Sequence, residues 1–128
     1  MQSQEPPAGK IVWVDLTVPN ATEIRDFYQQ LVGWQANEVD MGDYADYGMQ
    51  SPASGSMVAG ICHLRGANAN QPQAWMIYIS VPDLDVCVAT CERLGGKVLN
   101  GPRGEGERFC VMQDPAGAVF GLFEQRLG

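Results

Sequence analysis

The sequence has little positive charge. Eight lysines and arginines stand against fifteen aspartates and glutamates, a net charge of −7. That balance argues against a nucleic-acid or anionic-membrane partner, because phosphates would be repelled rather than neutralised. Long apolar runs are missing too; none approaches the roughly 20 residues of a membrane span. The opening residues 1–9 show neither the basic region nor the apolar stretch of a secretion signal, and read as a polar lead-in. Histidine is almost absent. His63 is the single one, so no two-histidine metal site can be built, and it reads as a surface or satisfied residue. Cys62, Cys87, Cys91 and Cys110 lack the close C-x2-C pairs of a zinc site and read as buried free thiols. Without a secretion signal, a reduced cytoplasmic compartment is the expectation.

What is present is one domain's worth of chain, 128 residues at 45% hydrophobic content, and an internal repeat. Leu16–Asn20 (LTVPN) matches Ile79–Asp83 (ISVPD) at an offset of 63 positions. Met57–Ile61 (MVAGI) matches Ala118–Leu122 (AVFGL) at an offset of 61. An offset near half the chain length implies two modules, about 10–66 and about 73–126, in a single domain over 10–128. A solenoid would repeat a shorter unit more often.

Each module opens on an alternating strand. Val12, Val14, Leu16 and Val18 face one way, Trp13, Asp15 and Thr17 the other. In the second module Trp75, Ile77, Ile79 and Val81 oppose Met76, Tyr78 and Ser80. A helix follows each time. Asn20 with Glu23 reads as a capping box, and Ile24, Phe27, Tyr28 and Leu31 as its apolar stripe. Asp83 or Asp85 starts the second helix, with a stripe of Leu84, Cys87, Val88, Cys91 and Leu94. Three shorter strands are expected after each helix. The fold class is therefore α+β, two βαβββ modules whose helix-free faces line a cleft.

These segments together resemble the vicinal oxygen chelate superfamily, which holds glyoxalase I, bleomycin-resistance proteins and extradiol dioxygenases. The resemblance is carried by Trp13–Asn20, Asp26–Tyr28 and Leu31–Trp34; by Trp75–Asp83 and Leu94–Lys97; and by Asp114–Gly117 with its following strand. The subgroup it looks most like is that of enzymes related to lactoylglutathione lyase. Metal-using members place a ligand in the first and last strand of each module. The resemblance puts those four positions on Trp13, Gly60, Met76 and Gly121. None offers a nitrogen or oxygen acceptor, so neither metal nor cofactor is expected. A homodimer is implied, as for the family's short members.

Asp15, between Trp13 and Thr17, is the candidate catalytic residue. It could act as a general base, grip a cationic group, or simply pair with an arginine such as Arg108. Trp13, Asp15, Gly60, Met76, Tyr78, Gly121 and Phe123 form the candidate ligand-binding set, an apolar surface with few polar groups. The two glycines are expected to leave room there. Tyr44 or Tyr47 could reach a ligand, and the glycine-rich Asn100–Arg108 could close over the cleft. The leading expectation is metal-independent binding of a small apolar or aromatic molecule, as in bleomycin resistance. The alternatives are a metal-free lyase or isomerase using Asp15, and a metal-dependent lyase or dioxygenase.

Overall fold

The computed structural model describes residues 8–66 and 69–125. Residues 1–7 of the expected lead-in and residue 126 of the second module lie outside them. The element order is β1 (Ile11–Val18), α1 (Ala21–Val32), β2 (Gln35–Asp40), β3 (Ala45–Gln50), β4 (Met57–His63), β5 (Trp75–Val81), α2 (Leu84–Arg93), β6 (Lys97–Arg103), β7 (Phe109–Gln113) and β8 (Val119–Glu124). The βαβββ unit occurs twice, and the fold is α+β.

Module one joins β2, β3 and β4 by antiparallel pairing and β4 to β1 by parallel pairing. Module two does the same with β6, β7, β8 and β5. The chain separates into two compact units, Trp13–Trp75 and the remainder. Residues 8–12 group with module two because Gly9 and Ser80 donate backbone N–H groups to Ser80 and Lys10, respectively. Trp75 groups with module one: its indole N–H donates to the Tyr28 hydroxyl at 3.1 Å, and its ring packs edge-on against Tyr28 and Trp34.

Each module buries one sheet face under its helix. In module one Leu16, Val18, Ala21, Tyr47, Met49, Ala59 and Ile61 form the core, with Val14, Ile24 and Tyr28 against it. In module two Leu84, Cys110, Met112 and Leu122 do so, with Ile79, Val81, Cys87, Val88 and Cys91. Strand alternation therefore reads correctly for Val14, Leu16 and Val18 and for Ile79 and Val81, whereas Ile77 is exposed and Trp75 packs against Tyr28 and Trp34.

The helices differ from expectation in detail. Phe27 and Leu31 stay 53% and 63% exposed, because Ala21, Ile24 and Tyr28 already centre α1 on the sheet. Asn20 makes no side-chain cap; its amide donates to Glu23 Oε1 at 3.0 Å instead. Gly33 closes α1 in the left-handed region, at φ 78°. Asp83 caps α2 by accepting from the Val86 backbone.

Candidate functional site

Since Val14, Leu16 and Val18 face the helix, Trp13, Asp15 and Thr17 lie on the open face of module one. On β4 the helix side takes Ala59 and Ile61, which leaves Gly60 and Cys62 open. The parallel register sets Asp15 against Gly60 and Thr17 against Cys62. The Trp13 indole donates to Asp15 Oδ1 at 2.5 Å, a charge-assisted bond within one strand. A Cβ on Gly60 would fall on that same carboxylate oxygen. Gly60 is therefore not spare room. It is the seat of the Asp15 side chain.

Module two repeats the device with different chemistry. Tyr78 pairs with Gly121, and a Cβ on Gly121 would land on three atoms of the Tyr78 ring. The opening that the sequence suggests at Gly121 is filled by that ring. Met76 and Tyr78 are only 3% and 8% exposed, while Phe123 is half-buried. The expected ligand set thus divides into an acidic, indole-bearing group (Trp13, Asp15, Gly60) and a packed apolar group (Met76, Tyr78, Gly121, Phe123).

Two residues that the sequence reading did not place at the site are Cys62, two positions past Gly60 on β4, and Asp46 on the neighbouring β3. The charges of both Asp15 and Asp46 act on the Cys62 thiol. Burial first, then these two carboxylates, push the thiol far above its usual range. Cys62 could have been found from strand alternation, two residues beyond Gly60. Asp46 depends on the β3–β4 register, which no local signal shows. Asp46 is itself buried and accepts from the His63 backbone at 2.8 Å, with His63 Nδ1 at 3.3 Å. His63 is thus a satisfied residue.

Other candidates have structural partners. Tyr47 is in the core, its hydroxyl 2.7 Å from that of Thr22, and Tyr44 lies under Arg65 at 4.0 Å. Arg108 pairs with Glu124 and Asp85 rather than serving Asp15. The first four residues of Asn100–Arg108 belong to β6, which runs to Arg103, and 104–108 form the connection to β7. A hollow of about 490 Å3 lies on the outer side of α1, lined by Glu23, Asp26, Phe27, Gln30 and Leu31. It is on the helix side of module one, away from Asp15.

The raised thiols have a testable consequence. A thiol whose folded pKa lies above its unfolded value adds stability that is complete below about pH 8.5 and is lost as pH rises further. Cys62 has that shift, and Cys110 is pushed up to about 11, by burial and then by Cys91 and Cys87. Unfolding free energy should therefore fall above pH 8.5, and Cys62→Ala should flatten the fall. In the native protein at pH 8.5, iodoacetamide should leave Cys62 unlabelled by peptide mass spectrometry, since only a thiolate reacts.

The four positions that the family resemblance assigns to metal ligands offer no donor set here. Trp13 has only an indole N–H, which donates, and Met76 only a buried thioether. Gly60 and Gly121 have no side chain, and their places are covered by Asp15 and Tyr78. Among the described residues no group of three or more His, Cys, Asp or Glu is placed to hold an ion. No described helix is long and apolar enough to cross a membrane.

Comparison with known proteins agrees with this architecture. The "Putative glyoxylase CFP32" proteins of Mycobacterium tuberculosis and Mycobacterium bovis are 30% identical over 115 residues, 88% of this chain. The chain spans less than half of them, 44% of their length. A Streptomyces coelicolor methylmalonyl-CoA epimerase in complex with 2-nitronate-propionyl-CoA superposes with a TM-score of 0.63 over 92% of this chain and 95% of that one. At 15% identity that likeness concerns the fold alone. The family described as glyoxalase-like domain matches residues 12–123, nearly the whole described chain. With the paired βαβββ modules and this match over both of them, the chain belongs to the glyoxalase-like domain family of the vicinal oxygen chelate superfamily.

Proposed function

We propose that the chain binds a small, largely apolar or aromatic molecule without a metal ion, and that the open face of module one supplies the recognising groups. One observation carries this reading: Asp15 is seated over Gly60 and held by the Trp13 indole. A fixed carboxylate beside an aromatic ring suits a flat ligand bearing a protonated amine or another donor. The net charge of −7 adds a favourable long-range field for such a cation. Sequestration of the bleomycin-resistance kind asks only for this complementarity, which fits the missing donors at Trp13, Gly60, Met76 and Gly121. In this reading the protein is cytoplasmic and acts as a homodimer.

A second reading makes Asp15 an acid/base in a metal-free lyase or isomerase reaction. It is favoured by the glyoxylase and epimerase names of similar proteins and by the indole bond that fixes the carboxylate. Asp15→Asn separates the two. It keeps the shape and removes the charge. Affinity for a cationic ligand should fall about tenfold or more, the equivalent of roughly 1.4 kcal/mol. Turnover of an identified substrate, if the second reading holds, should vanish while binding persists. Metal analysis of protein purified without chelator should show no stoichiometric divalent ion. Bound zinc, nickel or iron would overturn metal independence.

A further inference from the structure

The open face of module one is not open along its whole length. Trp13, Asp15 and Thr17 share it, yet Trp13 and Asp15 are partly exposed and Thr17 is only 3% exposed. Alternation does not account for that burial, because the helix covers the opposite face. A side chain from the connector between β4 and β5 stands over it. The Thr17 hydroxyl faces Gln71 Oε1 at 3.4 Å, across 54 positions of sequence. From Ala69 to Trp75 every residue is exposed except Gln71, so this one side chain turns inward from a solvent-facing segment. Pro72 follows it. A residue before proline is restricted to extended backbone, which narrows the directions in which Gln71 can point. Thr17 and Gln71 belong to the same compact unit, Trp13–Trp75.

We infer that Gln71 is a specificity-determining residue, an end stop that fixes which way round a ligand lies on the Asp15 face. This rests on the binding reading above and deepens it. Asp15 is the charged group of the face, and Thr17 stands two residues beyond it, roughly 6.6 Å along the strand. With Gln71 over Thr17, that direction is closed just past the carboxylate. The other direction leads to the Trp13 indole. A ligand whose cation meets Asp15 must therefore end there and lay its apolar body toward Trp13. The class selected is a terminal ammonium on an aromatic body. A substituent that continues past the nitrogen would have to displace Gln71 from Thr17. Exclusion by a clash of this kind discriminates among ligands without adding any contact to the preferred one.

Two measurements test this, one of them without a ligand. Iodoacetamide should label the introduced thiol of Thr17→Cys slowly, and at least about tenfold faster once Gln71→Ala is added, by peptide mass spectrometry. Equal rates in the two proteins would mean that Gln71 does not cover the position and would overturn the inference. The second measurement uses benzylamine and N-butylbenzylamine, titrated against the Trp13 indole N–H resonance in 1H–15N spectra, assigned by its loss in Trp13→Phe. The unaltered chain should bind the N-butyl amine at least about tenfold more weakly than benzylamine, and Gln71→Ala should bring the two within about threefold. A parent that takes both amines equally, or a Gln71→Ala protein that keeps the full difference, overturns the inference. If the cysteine variants do not fold, the amine titrations decide. If neither amine moves the resonance in parent or variant, the binding reading fails and the ligand orientation with it, while the labelling rates still decide whether Gln71 closes the face.

Discussion

Gly121→Ala should destabilise the protein by about 1–3 kcal/mol, the usual cost of forcing extra volume into a packed interior. The added methyl would meet three atoms of the Tyr78 ring, which is buried and has no flexible end to swing away. Urea unfolding should show a lower midpoint at unchanged slope. Adding Tyr78→Ala should cancel part of the loss, so the double variant should be less destabilised than the two single changes summed. An additive double variant, or a Gly121→Ala protein as stable as the parent, would mean that the ring is not locked over the glycine. Gly60→Ala is the instructive contrast. There the obstacle is a carboxylate oxygen at the end of a rotatable side chain. Stability should suffer less, while any affinity that depends on Asp15 should drop, because the group is moved from its seat and its indole partner.

Glu124→Ala should cost about 1.5–3 kcal/mol, the range for hydrogen bonds to a charged group. The Glu124 carboxylate is fully buried. It accepts the Leu84 backbone N–H at the start of α2 at 2.7 Å, and the Arg108 guanidinium twice at 3.1 Å. Those bonds, Glu124 first and Asp85 second, hold the Arg108 pKa above its ordinary value. One side chain thus ties the end of β8 to the first turn of α2 and to the strand-entry arginine of β7. Glu124→Gln should recover the Leu84 contact but present an amide N–H toward the guanidinium, giving an intermediate loss. Equal stability of the alanine variant and the parent in chemical denaturation would contradict this role.

Much of the fold was legible because its signals are local or repeated. Alternation along β1 and the second half of β5 put the right faces toward the helices, and the offsets of 63 and 61 exposed the two modules. The site was less legible, because its geometry depends on register. Gly60 and Gly121 were recognisable as equivalent positions, yet only the pairing of Asp15 with Gly60 and Tyr78 with Gly121 shows what each glycine accommodates. Asp46 and Glu124 are polar residues in short strands, and nothing within a few positions of either gives away a buried partner. The amphipathic stripe of α1 overreached for a different reason. Phe27 and Leu31 have the spacing of a core face, but a short helix on a four-stranded sheet needs only the narrower row of Ala21, Ile24 and Tyr28.

The claim that matters most is that this chain recognises a small molecule through Trp13 and Asp15 without a metal. Thermal unfolding in the presence of a panel of aromatic amines, other aromatic compounds and metabolites tests it directly, since a specific ligand stabilises the folded state by mass action. The account predicts that stabilising compounds keep their effect in excess chelator, and that those bearing a cationic group lose it in Asp15→Asn and Gly60→Ala. Stabilisation that disappears with chelator, or that is indifferent to both substitutions, would contradict it.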